Sequence, residues 1–315
     1  MKLVKGQLQK ISDKILYAAR AYINARYFDP KHLKQAQGLG EVVGNLKGKT
    51  LFISGGSRGI GLEIAKRAAQ DGANIVIAAK TTEPHSKLEG TIYSAAEEIE
   101  KLGGHALALK VDIRHQEQIV EAVDKAVSHF GGIDILINNA SAICLEKTPH
   151  LSAKQFDLMH QVNVRGTFLC GQACYPHLQK SSNPHVLTLS PPINLSPPWL
   201  GDHLGYTISK YGMSMCVLGW AQEWGREKIA SNALWPQTTI ATAAIKNMPM
   251  GETLASMSRT PKIMADAAYQ ILIRHSATTT GQFFIDDQVL KAAGVENFDD
   301  YSVVAGNKLQ MDLFL

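Results

Sequence analysis

Along most of this chain, short apolar segments of strand length alternate with stretches that have helical periodicity. Strands that are apolar on both faces need helices on both sides of their sheet, and alternation with helices brings successive strands into parallel pairing. We therefore expect an α/β, doubly wound fold around a seven-stranded parallel sheet. The predicted strands are Thr50–Ser54, Asn74–Ala78, Ala106–Val111, Ile133–Ile137, His185–Leu189, Ser231–Pro236 and Gly281–Asp287.

The first part of the chain departs from this pattern. Leu8, Ile11 and Ile15 recur at helical spacing among lysines, which predicts a basic amphipathic helix, and a glycine-rich linker follows it. We expect residues 1–45 to form this helical extension and linker, 46–290 the folded domain, and 291–315 a C-terminal tail packed on the domain. The helix is expected to dock on the domain or on a second subunit, with attachment to a membrane surface as the alternative.

The composition argues against several classes of function. The 315 residues carry a net charge of only +4 and no dense basic run, so nucleic-acid binding is not expected. No apolar run is long enough to span a membrane, so no integral membrane segment is expected. The four cysteines form no CxxC pair, which indicates reduced thiols and a cytoplasmic location, and the histidines lack metal-ligand spacing, so no metal is predicted.

A glycine-rich turn directly follows the first predicted strand. In the segment SGGSRGIG, three glycines lie where the chain passes from strand to helix. Without side chains there, the backbone can approach a pyrophosphate, and the amides at the helix N-terminus face its charge. The sequence therefore predicts a Rossmann fold that binds a dinucleotide. The cofactor-binding residues expected in this turn are Ser54, Gly55, Ser57, Arg58, Gly59, Ile60 and Gly61.

The end of the second strand bears on which dinucleotide binds. An acidic residue about 20 positions after the glycine turn accepts the ribose 2′-hydroxyl of NAD, whereas a basic residue accommodates the 2′-phosphate of NADP. Lys80 occupies that place, and Arg58 lies in the glycine turn. NADP is therefore the expected cofactor. The alternative, that both cations are merely solvated, stays open because Glu83 is close in sequence.

Tyr206 and Lys210 lie one helical turn apart in the segment YTISK. A phenol with its ordinary pKa of about 10 exchanges protons poorly at neutral pH, and a lysine ammonium on the same helix face favours the phenolate. Beside a hydride donor, such a pair can protonate a carbonyl during reduction or deprotonate an alcohol during oxidation. We therefore expect Tyr206 and Lys210 to be catalytic.

Four motifs occur in order along the chain: SGGSRGIG, NNAS, VNVRG and YTISK. In these motifs the chain resembles the short-chain dehydrogenase/reductase family. The resemblance implies that Asn138 and Ala140 line the ribose next to the nicotinamide, and that Asp112 faces the adenine. It also implies that Lys210, beside Tyr206, holds the nicotinamide ribose. Asn163 would anchor a water chain that leads to Lys210.

This sequence departs from the family pattern around the expected site. Ser141 stands where the motif after the fourth strand usually ends in glycine, and Gln237 replaces the glycine that usually follows Pro236. In the family, a serine after the fifth strand positions the substrate, but the corresponding places here hold Ile193 and Asn194.

Two nearby serines are candidates for the missing hydroxyl. Ser190 lies at the strand end, where a rigid sheet would hold it beside the cofactor, and the stiff proline-rich loop after it absorbs the extra residues. Ser190 is therefore the predicted catalytic serine. Ser196, which lies inside that loop, is one alternative, and a site without any serine is the other.

Together these features predict an NADP(H)-dependent short-chain oxidoreductase that interconverts a carbonyl and an alcohol. We expect a small hydrophobic substrate of fatty-acyl, terpenoid or steroid-like character, in a pocket shaped by Trp199, Leu200 and the segment Thr238–Met257. The helix after Lys210 is apolar around much of its circumference, which predicts a homodimer or homotetramer. The alternative is an NADP-sensing or lipid-binding module with little turnover.

Overall fold

Seven parallel strands form a single sheet in the computed structural model, which describes residues 39–84 and 89–315. Their order across the sheet is β3-β2-β1-β4-β5-β6-β7, and every pairing is parallel. This confirms the predicted doubly wound Rossmann fold. The strands are β1 Thr50–Ser54, β2 Asn74–Ala79, β3 His105–Lys110, β4 Ile135–Asn138, β5 His185–Thr188, β6 Ala230–Trp235 and β7 Phe283–Ile285.

Helices connect the strands along the chain. The amphipathic helix predicted before residue 39 lies outside the described residues. A π-helical stretch, His160–Gly166, joins α4 to α5, and short 3₁₀ turns occur at Gly225–Glu227 and Asp299–Tyr301. The helices are α1 Gly59–Ala69, α2 Ile92–Lys101, α3 Gln116–Phe130, α4 Ala153–Met159, α5 Thr167–Leu178, α6 Pro197–Gly201, α7 Leu204–Glu223, α8 Ala243–Lys246, α9 Gly251–Ser256, α10 Lys262–Leu272 and α11 Asp286–Ala292.

Both faces of the sheet are buried along most of its strands, whereas the edge strand β3 is only half-buried. Successive side chains of a strand point to opposite faces, and in β1 Leu51 and Ile53 pack in one core whereas Phe52 packs in the other. The first core is covered by α1, α2 and α10, and the second by α3, α5 and α7. Within the described part of the chain, no helix is long and apolar enough to cross a membrane.

The strand order places a crevice at the carboxyl ends of β1 and β4. The chain moves outwards from β1 to β3 and then returns to β4 on the other side of β1. Helices on either side of such a reversal leave an opening between them, and ligands of doubly wound folds bind there. The glycine turn after β1 and the NNAS motif after β4 therefore face the same crevice.

Candidate active site

The glycine turn between β1 and α1 folds tightly against the residues that follow β4. The Asn139 Nδ2 atom donates hydrogen bonds to the carbonyl oxygens of Ser54 (3.1 Å) and Gly55 (2.9 Å). Gly55 has a φ of +69°, and a Cβ at Gly61 would lie 2.5 Å from Asn139 Nδ2. Side chains are therefore excluded at both positions, and the turn stays open enough for backbone to face a phosphate.

Ser54 and Asn138 differ in how their polar atoms are used. The Ser54 hydroxyl accepts hydrogen bonds from the backbone amides of Asn139 (3.1 Å) and Ala140 (3.2 Å), so it ties β1 to the segment after β4. The Asn138 side chain is buried, and its amide oxygen and nitrogen lack a hydrogen-bond partner among the described residues. Because unpaired buried amides are costly, Asn138 is suited to meet a bound group at the crevice.

Charged side chains gather at the ends of β2 and β3, where the adenosine half of a dinucleotide is expected. The Lys80 side chain is 61% exposed, and its Nζ atom lies 4.0 Å from Asp112 Oδ2. Arg114 binds the same carboxylate at 2.6 Å. Burial tends to raise the pKa of Asp112, but the hydrogen bonds from Arg114 and the charge of Lys80 outweigh it and hold that pKa below its usual value. Asp112 therefore stays ionised and paired.

Arg58 does not extend towards Lys80 as a free cation. Its Nε atom donates to the carbonyl oxygen of Glu89 (2.9 Å), and its Nη2 atom donates to that of Gly90 (2.8 Å). These bonds neutralise no charge, so the guanidinium keeps its positive field while its position is fixed. The remaining residues of the predicted turn lie beside it: Ser57 is buried, Ile60 is half-buried, and Gly59 faces Thr242.

Tyr206 and Lys210 lie on adjacent turns of α7, as the sequence predicts, and both are buried. The Lys210 Nζ atom donates to the carbonyl oxygen of Leu189 at 2.6 Å and lies 5.0 Å from the centre of the Trp235 ring. Leu189 immediately follows β5, so the lysine is held at the carboxyl end of that strand. The pair therefore stands beside the crevice that the glycine turn borders.

Burial changes the protonation of this pair relative to the sequence-based expectation. It raises the pKa of Tyr206, Asp312 raises that pKa further, and a hydrogen bond with Ser141 lowers it. Burial also lowers the pKa of Lys210 to about 7, against the opposing charge of Asp312. The lysine gives the phenolate less support than an exposed ammonium would, because it loses its own proton near neutral pH.

Asn163 lies in the π-helical stretch and holds the loop that borders Tyr206. Its Oδ1 atom accepts from the Ala142 amide (2.7 Å), and its Nδ2 atom donates to the Ala142 carbonyl (2.9 Å) and to Ser209 Oγ (2.9 Å). Ser209 in turn donates to the Tyr206 carbonyl at 2.7 Å. Asn163 therefore joins the loop after β4 to the helix that carries Tyr206 and Lys210.

Three serines near this pair have different surroundings. The Ser190 hydroxyl is buried at the end of β5 without a hydrogen-bond partner among the described residues. The exposed Ser196 hydroxyl donates to Asn194 Oδ1 at 2.5 Å. Ser141, which was not among the predicted site residues, is exposed on the crevice and hydrogen-bonds the Tyr206 phenol. Its departure from the family's glycine was the available signal in the sequence.

The C-terminal segment brings further residues to Tyr206 that the sequence analysis missed. The Phe314 ring centre lies 6.1 Å from that of Tyr206. Burial and the charge of Asp286 raise the pKa of Asp312 to about 7, while the Leu313 amide and Lys210 lower it. No periodicity marks the segment MDLFL, so its place could be found only from the folded chain.

The fold and the motifs at its crevice suit a dehydrogenase, and the comparison of sequences shows this class. Residues 49–252 match the family described as short chain dehydrogenase. The chain therefore belongs to the short-chain dehydrogenase family, whose members are oxidoreductases that bind NAD or NADP.

Within that family, the chain is similar to hydroxysteroid dehydrogenase-like protein 2. The Danio rerio and human proteins of that name are each 56% identical to it over 272 residues, which are 86% of this chain. The chain spans about 65% of the length of these relatives.

Solved structures show the same similarity. A short chain dehydrogenase from Mycobacterium thermoresistibile has 51% sequence identity and a TM-score of 0.82, covering 86% of this chain and 96% of its own. A crystal structure from Xanthomonas campestris has 54% identity and a TM-score of 0.83, covering 86% and 99%.

Proposed function

We propose that this chain is an NADP(H)-dependent oxidoreductase that interconverts a carbonyl and an alcohol on a small hydrophobic substrate. The observation that carries the proposal is the position of Tyr206 and Lys210 at the carboxyl end of β5, beside the crevice that the glycine turn borders. A proton donor and a dinucleotide turn at one crevice suit hydride transfer coupled to proton transfer.

Tyr206 is the proposed general acid. A bound nicotinamide would supply the hydride for the carbonyl carbon. The Tyr206 hydroxyl would give its proton to the carbonyl oxygen, so that the carbonyl becomes an alcohol. Ser141 stabilises the phenolate that remains, because it hydrogen-bonds the same oxygen. The Ser190 hydroxyl, which has no partner among the described residues, is proposed to position the carbonyl oxygen.

Lys210 and Asn163 are proposed to organise the site. The Lys210 Nζ atom would hold the nicotinamide ribose with the N–H groups that do not bond the Leu189 carbonyl. Asn138 and Ala140 would line that ribose. Asn163 fixes the loop after β4 relative to α7, and it would anchor the water chain that returns a proton to the phenolate.

NADP is proposed over NAD because positive charge surrounds the expected place of the 2′-phosphate. Lys80 is largely exposed, Arg58 has a fixed position, and Arg114 occupies the Asp112 carboxylate. Because Arg114 pairs with Asp112, that carboxylate opposes a phosphate beside Lys80 less strongly than a free carboxylate would. Ser54 would contribute to the cofactor site by holding the backbone of Asn139 and Ala140 in place.

An apolar cluster beside Tyr206 supports the hydrophobic substrate. Trp199, Ile193, Cys144 and Leu145 pack with the rings of Tyr206 and Tyr211 on the substrate side of the crevice. Fatty-acyl, terpenoid and steroid-like molecules present the matching apolar surface. The name of the two curated relatives refers to hydroxysteroid dehydrogenases, and the proposed lipid substrate is of the same general kind.

A sensing or lipid-binding module with little turnover is the second candidate. It is favoured by one observation, that Tyr206 is only 5% exposed and has a raised pKa. The test is to incubate the protein with NADPH and a panel of medium-chain aldehydes, 3-oxoacyl thioesters and ketosteroids, and to follow the loss of NADPH absorbance. Turnover of one class supports the enzyme; tight NADPH binding without turnover of any class supports the module.

We also propose a homodimer or homotetramer in a cytoplasmic compartment. Ile208 and Met215, seven residues apart on one face of α7, are 46% and 63% exposed, which leaves an apolar stripe for a second copy. All four cysteines are free thiols in the structure, which suits a reducing compartment.

A further inference from the structure

The segment Gln310–Leu315 is held along the residues that follow β6. The Thr239 amide donates to the Gln310 carbonyl (2.9 Å), and the Asp312 amide donates to the Gln237 carbonyl (3.2 Å). The Trp235 Nε1 atom donates to the Leu313 carbonyl at 2.9 Å, and Asn194 Nδ2 donates to the Phe314 carbonyl at 3.1 Å. Both the strand end and the loop after β5 therefore fix the backbone of this segment.

These contacts direct the Phe314 side chain into the site. Phe314 has a φ of +73°, an uncommon value for a residue with a side chain, and it is only 2% exposed. Its ring centre lies 5.4 Å from that of Tyr211, 5.7 Å from Trp199 and 5.8 Å from Trp235. A conformation that costs energy is retained here because the surrounding rings and hydrogen bonds over-determine it.

The rings around Phe314 belong to the elements that build the catalytic side of the crevice. Tyr206 and Tyr211 are on α7, Trp199 is on α6, and Trp235 ends β6 and faces the Lys210 ammonium. Smaller apolar side chains of the loop after β4, Ala142 and Cys144, border the same cluster. Phe314 therefore fills the apolar space directly beside the proton donor, between the catalytic helix and the loops that border the substrate side.

We propose that Phe314 is a specificity-determining residue, whose ring closes the inner end of the substrate pocket and limits the size of the apolar group that binds beside Tyr206. The proposal rests on the proposed carbonyl reduction and adds the class of substrate. A slender aliphatic group fits next to the ring, whereas a carbonyl compound that carries an aromatic ring at its inner end collides with it.

Removing the Phe314 ring should leave a cavity in which part of a substrate can bind. A Phe→Ala change in a well-packed cluster leaves a cavity that closes only in part, and a cavity lined by apolar rings binds an apolar group readily. Phe314→Ala should therefore accept a phenyl group where the wild-type protein has its own. Phe314→Leu keeps most of the apolar volume, so it protects the experiment against a variant that fails to fold.

The experiment compares 2-octanone with 4-phenyl-2-butanone, two methyl ketones that differ in the group beyond the carbonyl. For each variant, kcat/KM with NADPH and the dissociation constant of each ketone from tryptophan fluorescence are measured. Phe298→Ala is the matched control, because that ring packs on Tyr301 at 6.1 Å and does not belong to the cluster around Tyr206.

We expect Phe314→Ala to raise the preference for the phenyl ketone over the alkyl ketone at least tenfold, Phe314→Leu to raise it less, and Phe298→Ala to leave it unchanged. An unchanged preference in variants that fold and bind NADPH normally would overturn the proposal. An equal gain for both ketones would overturn it as well, because the segment would then limit access to the site without selecting between substrates. If no variant turns over either ketone, the ratio of dissociation constants still decides the role of Phe314, while the panel of aldehydes, 3-oxoacyl thioesters and ketosteroids decides the proposed function.

Discussion

Tyr206 performs its proposed chemistry through one oxygen atom on a buried face of α7. Replacing it with phenylalanine removes that oxygen and leaves the ring packing with Phe314 in place. We expect Tyr206→Phe to lower kcat by about 10²- to 10⁴-fold, the usual contribution of a general acid, while the NADPH dissociation constant changes little. Steady-state rates and fluorescence titration measure the two effects.

Lys210→Ala is the comparison, because it should weaken NADPH binding as well as turnover. A Tyr206→Phe variant that keeps more than about a tenth of the parent rate would show that another group donates the proton.

Ser190 and Ser141 should leave different signatures when each is replaced by alanine. Ser190→Ala should lower the rate of carbonyl reduction by about tenfold or more, without moving its pH profile, because it removes a positioning contact. Ser141→Ala removes the hydrogen bond that lowers the pKa of Tyr206, so that pKa rises and the alkaline decline of the reduction rate moves to higher pH. Rates measured at neutral pH record the effect of Ser190→Ala. Ultraviolet difference titration of the tyrosines above about pH 10 records the shift of the Tyr206 pKa in Ser141→Ala.

Ser196→Ala serves as the control, since that hydroxyl bonds only within its own loop, and it should leave the rate nearly unchanged. Equal and small effects from Ser190→Ala and Ser196→Ala would mean that no serine of the loop after β5 positions the substrate.

The relative positions of some residues could be predicted from their spacing in the sequence, whereas their roles stay predictions. Gly55, Gly61, Tyr206 and Lys210 are of this kind, because a turn or one helix face sets their relation. Asn139 belongs to the NNAS motif, yet its hydrogen bonds to Ser54 and Gly55 join segments that are far apart in sequence. Spacing carries no information about such contacts.

Among the elements, the end of β2 decides the proposed choice of cofactor. Lys80→Asp should weaken NADPH binding by about 1.5–3 kcal/mol, which is one to two decades, because it replaces a charge-assisted contact with repulsion. NADH, which has no 2′-phosphate, should lose far less. Titration of both cofactors measures the difference.

Lys101→Asp, at the exposed end of α2, provides the same charge change away from the proposed phosphate and should affect neither cofactor. Equal losses for NADPH and NADH in Lys80→Asp would remove the assignment of the 2′-phosphate site.

Most of the seven strands were predictable because burial on both faces leaves a continuous apolar signal. The ends of the strands were harder to predict. The last strand was expected from Gly281, but β7 begins at Phe283, because Gly281 turns the chain with a φ of +71°. The π-helical stretch His160–Gly166 was not foreseen, because its composition does not differ from that of an ordinary helix. The place of Gln310–Leu315 depends on pairing with distant loops, which periodicity does not record.

For the whole molecule, the exposed stripe of α7 predicts self-association. Introducing charge at both Ile208 and Met215, as glutamate, should shift the chain towards the monomer, because a buried unpaired carboxylate opposes the interface. Size-exclusion chromatography with light scattering measures the molar mass. Val120→Glu, on the exposed side of α3, is the control and should leave it unchanged. A wild-type chain that is already monomeric would contradict the proposed oligomer.

The position of Phe314 has a consequence for the order in which the molecule is made. All seven strands precede residue 310 in the chain, so the sheet and the glycine turn are synthesised before the segment that carries Phe314. Cofactor binding and substrate selectivity should therefore emerge at different moments of synthesis. A nascent chain that has passed β7 would hold its nucleotide in a pocket that does not yet discriminate between substrates.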